Sequence, residues 1–356
     1  MALAASGSRS PSTAWEEKPV RGEPKLFHDF ARDIVAYQKK DAGKFGPFRG
    51  FHAKIHAGFL AEFQILADLP EYARQGVFAV PQTLPAVVRF SNGDSHINPD
   101  ANREPRGIAI KLIGIPGRKL LSAQEDAVTQ DFLATSHSVT STVRDVRQFI
   151  HFVKAKRLPK WLMLARMFFT LGPCEMRRIK EALERTVLHS DVRSMATEEF
   201  SGTAPIKFGP YAVKFTVIAA DGTAEATDRR STENFLRDEL ADRLRKEDLV
   251  LDFLVQFYVD EMRTPIEDTS VPWRYEDAPK LKVAQLRIPR CDLNDPQTRE
   301  LSEKIDRLSF SPWHATEDHR PLGNVMRARR VAYEASAALR HHTAEPTSIS
   351  DLKRDA

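Results

Sequence analysis

Apolar positions recur every three to four residues over 25–43, KLFHDFARDIVAYQKKDAG, where Phe27, Phe30, Ile34 and Val35 fall on one side and a glycine closes the run. That spacing predicts an amphipathic helix. The period then changes. AVVRF, GIAIKL, YAVKFTVIAA, DLVLDFLVQFYVD and KVAQLRIP are short β-branched and aromatic runs with partial alternation, the pattern of half-buried strands. Between them, 143–156, the segment beginning at Trp161, and 177–189 return to helical spacing. After Asp292 the pattern predicts loops, including FSPWHATEDHRPLG, until NVMRARRVAYEASAALRHH restores a strong helical period. No internal repeat is visible. The mixture predicts an α+β fold: an antiparallel β-barrel wrapped by N- and C-terminal helical and loop segments. Residues 1–20, rich in Ser, Ala and Pro, read as a flexible tail, 21–345 as a single domain, and 346–356 as a loose C-terminal tail.

Bulk composition narrows the function classes. With 42% hydrophobic and 29% charged residues, the 356-residue chain is of ordinary globular type. Its net charge of +4 is spread without a basic run, so no nucleic-acid partner is expected. Two cysteines, Cys174 and Cys291, make no disulfide framework, and a reducing, cytoplasmic setting is the simpler expectation. No apolar run is long enough to span a bilayer. The nearest, WLMLARMFFTLG, is short and carries Arg166. It reads as a buried or half-buried helix, or else as a greasy face, Trp161–Leu171, for a lipid substrate or a membrane surface. The N-terminus lacks the basic and apolar regions of a secretory signal.

Two stretches carry candidate chemistry. In RGFHAKIHAGF, His52 and His56 would share a helix face and could form a metal pair, but Gly50 and Gly58 disfavour a helix. Extended, the segment puts His52, Lys54 and His56 on one face. In the C-terminal helix, Arg329 and Tyr333 stand at i and i+4, with Arg340 two turns further on. A guanidinium stabilises a phenolate, and a phenolate can hold ferric iron. Taken alone, this pair could equally be a chance pairing on a helix surface.

These stretches gain meaning in order. RGFHAKIHAGF resembles the distal segment of the catalase family, in which Arg-x-x-His precedes Ala-Lys. VVRFSNG resembles that family's Arg-Phe-Ser strand, and REPRGIAIKL its Arg-Asp-Pro-Arg-Gly-Phe-Ala-Val-Lys-Phe. FGPYAVKF resembles a strand that carries a proximal-side histidine, here Tyr211. FSPWH with MRARRVAYEASAALR resembles the proximal Phe-x-Pro and Arg-x-x-x-Tyr helix. The resemblance covers roughly residues 45–340 and implies a haem cofactor (haem b, with its iron). It implies His52 as the distal catalytic histidine and Ser91 as the serine hydrogen-bonded near it. Tyr333 matches the axial iron ligand, Arg329 its charge partner, and Arg49, Arg89 and Arg340 the arginines that hold the haem propionates.

The chain departs from the family pattern in three places. The distal asparagine is missing from TQDFLATSHSVTSTVRD, where Thr135, Ser136 or His137 falls nearest to its place. Phe51 replaces the valine that precedes the distal histidine and gates a narrow channel. The helical domain and wrapping arms of the larger tetrameric catalases are not found after the proximal helix. The expectation is therefore a short, divergent, haem-dependent enzyme acting on a hydroperoxide, organic or fatty-acid hydroperoxides included, by peroxidase, catalase or rearrangement chemistry. The alternative is a non-catalytic haem sensor or carrier on the same scaffold. Homo-oligomerisation is compatible with either.

Overall fold

Nine strands among the described residues alternate along their length between residues that pack inward and residues that pack outward, and this parity organises the molecule. The computed structural model describes residues 10–41, 49–136, 142–156, 158–184, 191–226, 231–340 and 344–353. The strands are β1 (Ile55–Ile65), β2 (Thr83–Asn92), β3 (Arg106–Ile113), β4 (Thr129–Thr135), β5 (Phe200–Gly202), β6 (Ile206–Phe208), β7 (Tyr211–Ala219), β8 (Leu249–Phe257) and β9 (Leu281–Ile288). They pair in the order β5-β4-β3-β2-β1-β9-β8-β7-β6, and a further β5–β7 pairing closes eight of them into an antiparallel barrel. Closure removes free strand edges.

The barrel interior is filled. Phe63, Phe78, Phe132, Phe208, Phe215 and Phe253 meet there in edge-on and stacked contacts, with ring centroids 5.0–6.5 Å apart. Each fully buried aromatic contributes about 1.5–3 kcal/mol from area alone. No room is left inside for a flat cofactor, so any site must lie on the outer face.

A helical layer covers part of that face. α1 (Glu23–Asp41), α2 (Val146–Lys156) and α7 (Asn324–Leu339) share one apolar cluster: Phe27, Phe30, Ile34, Ile150, Val325 and Ala328 are all buried in it. α3 (Lys160–Leu171) and α4 (Pro173–Leu183) pack beside α2 through Met167 and Ile179. α5 (Phe235–Leu244) caps the barrel.

Four expectations change. The stretch after Asp292 is not all loop: α6 (Pro296–Arg307) runs through it, started by Asp295, whose carboxylate accepts from the Thr298 N–H, and by Pro296 in the first turn. His52 does not belong to a strand: β1 begins at Ile55. Residues 10–20, expected as part of a tail, dock on the body. The Ser12 N–H donates to the Tyr258 carbonyl (2.8 Å), the Trp15 indole to the Pro210 carbonyl (2.8 Å), and Glu17 pairs with Arg327 (2.6 Å). Near the other end, α8 (Ser350–Lys353) buries Leu352 against Val87 and Ile305, and Glu345 pairs with the buried Lys111 (2.5 Å).

Candidate functional site on the outer face of the barrel

Register lays two rows across the outside of β2, β3 and β4. One aligns Ser91, Gly107 and Thr135; the next aligns Arg89, Ala109 and Leu133. Their neighbours along each strand, Phe90, Ile108 and Ala134, point into the core. The outer rows therefore offer a small, largely apolar floor with one arginine and two hydroxyls at its margins.

His52 lies over the first row. Its Nδ1 is 3.1 Å from Ser91 Oγ. A Cβ on Gly107 would come within 2.5 Å of that same nitrogen, so the imidazole occupies the space that any side chain at 107 would need. His52 has φ +59°, the left-handed region, and is the one non-glycine residue with positive φ among the described residues. Such a conformation in a residue with a Cβ costs about 1–3 kcal/mol and must be held in place. Holding it, the His52 N–H donates to the Gly93 carbonyl (3.2 Å), the Ala53 N–H to the Asp94 carbonyl (3.0 Å), and Arg89 donates to the His52 carbonyl (2.8 Å). Burial, reinforced by the positive fields of Arg89, Arg329 and Arg49, drives the imidazole pKa down to about 3. It is neutral at physiological pH and able to accept a proton.

Three guanidiniums gather at one edge around a single carboxylate. Arg89 bonds Asp306 (2.9 Å), and Arg49 donates to the carbonyls of Asp306 and Leu308 (2.7 Å each) while resting over the Phe310 ring. Burial, then the charges of Arg89 and Arg340, pushes the Arg49 pKa well below its usual value, with Asp306 and Tyr333 opposing. Arg340 is lowered to about 10 by burial and by Arg89, and its Nε is buried with no hydrogen-bond partner among the described residues. Three positive charges against one negative leave an excess that fits an anionic ligand of two carboxylates. From α7, Arg329 donates to the Tyr333 hydroxyl (2.7 Å), and its guanidinium also stacks 5.0 Å from the Tyr333 ring centre.

All seven residues singled out in the sequence thus lie around this face. His56 goes elsewhere: it is buried, with Nε2 2.7 Å from Asn92 Oδ1, in a polar cluster with Lys54, Asp100 and Arg106. Among the described residues no group of three or more His, Cys, Asp or Glu side chains could hold a metal ion. Tyr211 packs on Tyr72 and Phe257, within the main apolar core. Phe51 is partly exposed, 6.5 Å from the Phe149 ring. Of the three residues nearest the missing asparagine's place, Ser136 accepts from the Arg106 N–H, and His137 lies outside the described residues. Thr135 stands in the row of Gly107, and its buried hydroxyl has no partner among the described residues. Asp306 and Gly107 were not assigned a role from the sequence. Nothing marks Asp306 in an acidic and basic helix, whereas Gly107 sits inside a quoted motif.

No protein-family model matches the chain, and no curated protein matches it by sequence. Solved structures do. A fungal catalase aligns over 93% of this chain and 65% of its own, with TM-score 0.64 and 16% identity. Catalase A from Saccharomyces cerevisiae aligns over 93% and 67%, with TM-score 0.65 and 16% identity. A bacterial catalase aligns over 98% and 66%, with TM-score 0.62 and 17% identity. The chain spans about two thirds of the length of these proteins, and at such identity the likeness establishes architecture alone. The barrel, its helical cover and these alignments together give the chain a catalase-like fold.

Proposed function

We propose that this face binds haem and that the protein is a hydroperoxide-converting enzyme. The observation that carries the reading is the neutral imidazole of His52, held in a strained conformation over a floor whose edge bears three arginines and one carboxylate. A structural histidine would have no use for that strain. The Nε of Arg340, without a partner among the described residues, and the surplus positive charge of Arg49, Arg89 and Arg340 over Asp306 suit propionate groups, and Tyr333, hydrogen-bonded by Arg329, is the residue that would hold the iron.

Haem, when bound, would supply the redox chemistry. The protein's part is proton handling and orientation. With Nδ1 engaged by Ser91, His52 would use Nε2 to take the proton from the hydroperoxide O–H. It would then return that proton to the other oxygen, which leaves as water or as an alcohol. Thr135, in the row beside the imidazole, has a hydroxyl without a partner among the described residues, and it would orient the substrate oxygen. Arg329 would hold the Tyr333 hydroxyl oxygen in position through its 2.7 Å hydrogen bond.

Titration of the full chain with haemin tests the reading. One equivalent should bind and give a Soret band with a high-spin ferric spectrum, and the loaded protein should consume hydrogen peroxide or an alkyl hydroperoxide. Stoichiometric haem binding without turnover of either would favour the sensor or carrier; failure to bind haem would end both readings.

A further inference from the structure

α3 presents an apolar face to solvent. Trp161 is 72% exposed and Phe169 85%, and Leu162, Leu164 and Phe168 are exposed as well. At about 100° per residue these five positions span an arc of roughly 160°, far broader than one stray hydrophobe on a surface. The opposite side is anchored: Met167 is buried, and Met163 and Leu171 pack on the α2–α4 cluster. The helix is therefore fixed in place with its greasy side outward.

Charge identifies what that side meets. Between residues 144 and 184 there are ten basic and four acidic residues, a net +6, whereas the whole chain carries +4. The remainder is thus net −2, and the positive charge is concentrated on the α2–α4 unit. Arg144, Arg147, Arg166, Arg177 and Lys180 are all exposed there, Arg166 on α3 itself. Trp, Phe and Leu on one side of α3, with Arg166 next to them on the helix and a net positive charge on the α2–α4 unit, match the interface of an anionic bilayer, where apolar side chains enter the acyl boundary and cations meet the headgroups. A hydrophobic protein partner would not call for the excess of positive charge.

We propose that α3, with the basic surface of α2 and α4, docks the protein on membranes rich in anionic lipid. No helix among the described residues is long and apolar enough to cross a membrane, so the proposed contact is with the bilayer surface. Docking would bring the haem face close to acyl chains. α2 underlies α3, and its Phe149 touches Phe51, the residue next to His52. The surface stands whatever occupies that face.

Flotation of the full chain with vesicles decides the matter. In low salt, vesicles of 70% phosphatidylcholine and 30% phosphatidylglycerol should carry the protein upward, and pure phosphatidylcholine should carry at least tenfold less. Phe169→Glu with Leu164→Glu should abolish capture, and Arg166→Glu with Arg177→Glu should reduce it by about tenfold or more. Circular dichroism melting checks that these variants fold, and Trp161→Phe offers a milder change whose lost blue shift of emission reports insertion. Equal capture by both vesicle types, or capture unaffected by the substitutions, would overturn the proposal. So would a dimer in sedimentation that Phe169→Glu dissociates in the absence of vesicle binding, since the face would then be a contact between two copies of this chain.

Discussion

His52 and Gly107 are fitted to one another by one close approach, on which the proposed chemistry depends. With 2.5 Å between the Nδ1 of one and the position of a Cβ on the other, Gly107→Ala must push the imidazole off Ser91. The substitution leaves the strand backbone unstrained, so turnover should fall at least tenfold while the melting temperature moves little; unchanged activity would show that the ring's position is immaterial. His52→Ala removes the proton carrier outright and should cost at least about 10²-fold in hydroperoxide turnover while haem remains bound. On the proposed function, Thr135 would bear on substrate preference at the same scale. A hydroxyl replacing an amide loses one orienting hydrogen bond, worth about 0.5–1.5 kcal/mol, or roughly 2- to 12-fold. Two buried methylenes of an alkyl hydroperoxide, at about 0.8 kcal/mol each, recover that loss. Higher kcat/KM for organic hydroperoxides than for hydrogen peroxide is therefore expected, and comparing the two on one preparation checks it. Dismutation of hydrogen peroxide at the greater efficiency would contradict it.

At the scale of an element, α7 separates the duties of its arginines by angle. Arg329 reaches Tyr333, one turn on. Arg330 lies over the Trp313 ring. Arg327 points the other way, into Glu17 (2.6 Å), Glu23 (3.0 Å) and Glu267 (3.0 Å). Burial would lower the Arg327 pKa, but these carboxylates more than compensate and raise it. One helix thus serves the site with one side and holds the docked N-terminal segment with the other. Tyr333→Phe should lose haem or shift its ligand-field bands without lowering stability, whereas Arg327→Met should leave three carboxylates facing one another. Its cost should be about 3 kcal/mol, at the low end for a broken buried pair because the groups keep some solvent contact. Urea denaturation of the two variants separates these roles.

For the whole molecule, buried histidines dominate the response to acid. Burial lowers His52 to about 3 and His56 and His319 to about 4, against 6.5 when unfolded. Between about pH 6.5 and 4 the unfolded chain binds more protons at these sites, so stability is complete above 6.5 and is lost as pH falls. Glu198, raised by burial to about 7, and Glu104, raised likewise, act in the opposite direction. The histidines outweigh them, and lowering the pH from 7.5 to 5.5 should cost on the order of 2 kcal/mol. A urea midpoint that drops with an unchanged slope would agree; a flat profile over that range would not.

What the sequence determined by itself was local. Period gave the helices at Phe27–Ile34 and at α7, and the strands whose alternation was clean, because a residue's neighbours along the chain define those repeats. Motif order led to the expectation that Arg49, His52, Ser91, Arg89, Arg329, Tyr333 and Arg340 share one site, and the structure brings these seven residues around one face of the barrel. Only the tertiary structure decided the rest. The left-handed turn at His52 depends on Arg89 and Gly93, the empty space at Gly107 on the imidazole above it, and the role of Asp306 on two arginines more than 200 residues away. The docking of Trp15 and Glu17 likewise requires partners 195 and 310 residues further along the chain. These features are contacts between distant segments, and no periodicity encodes a distance that only the closed barrel creates.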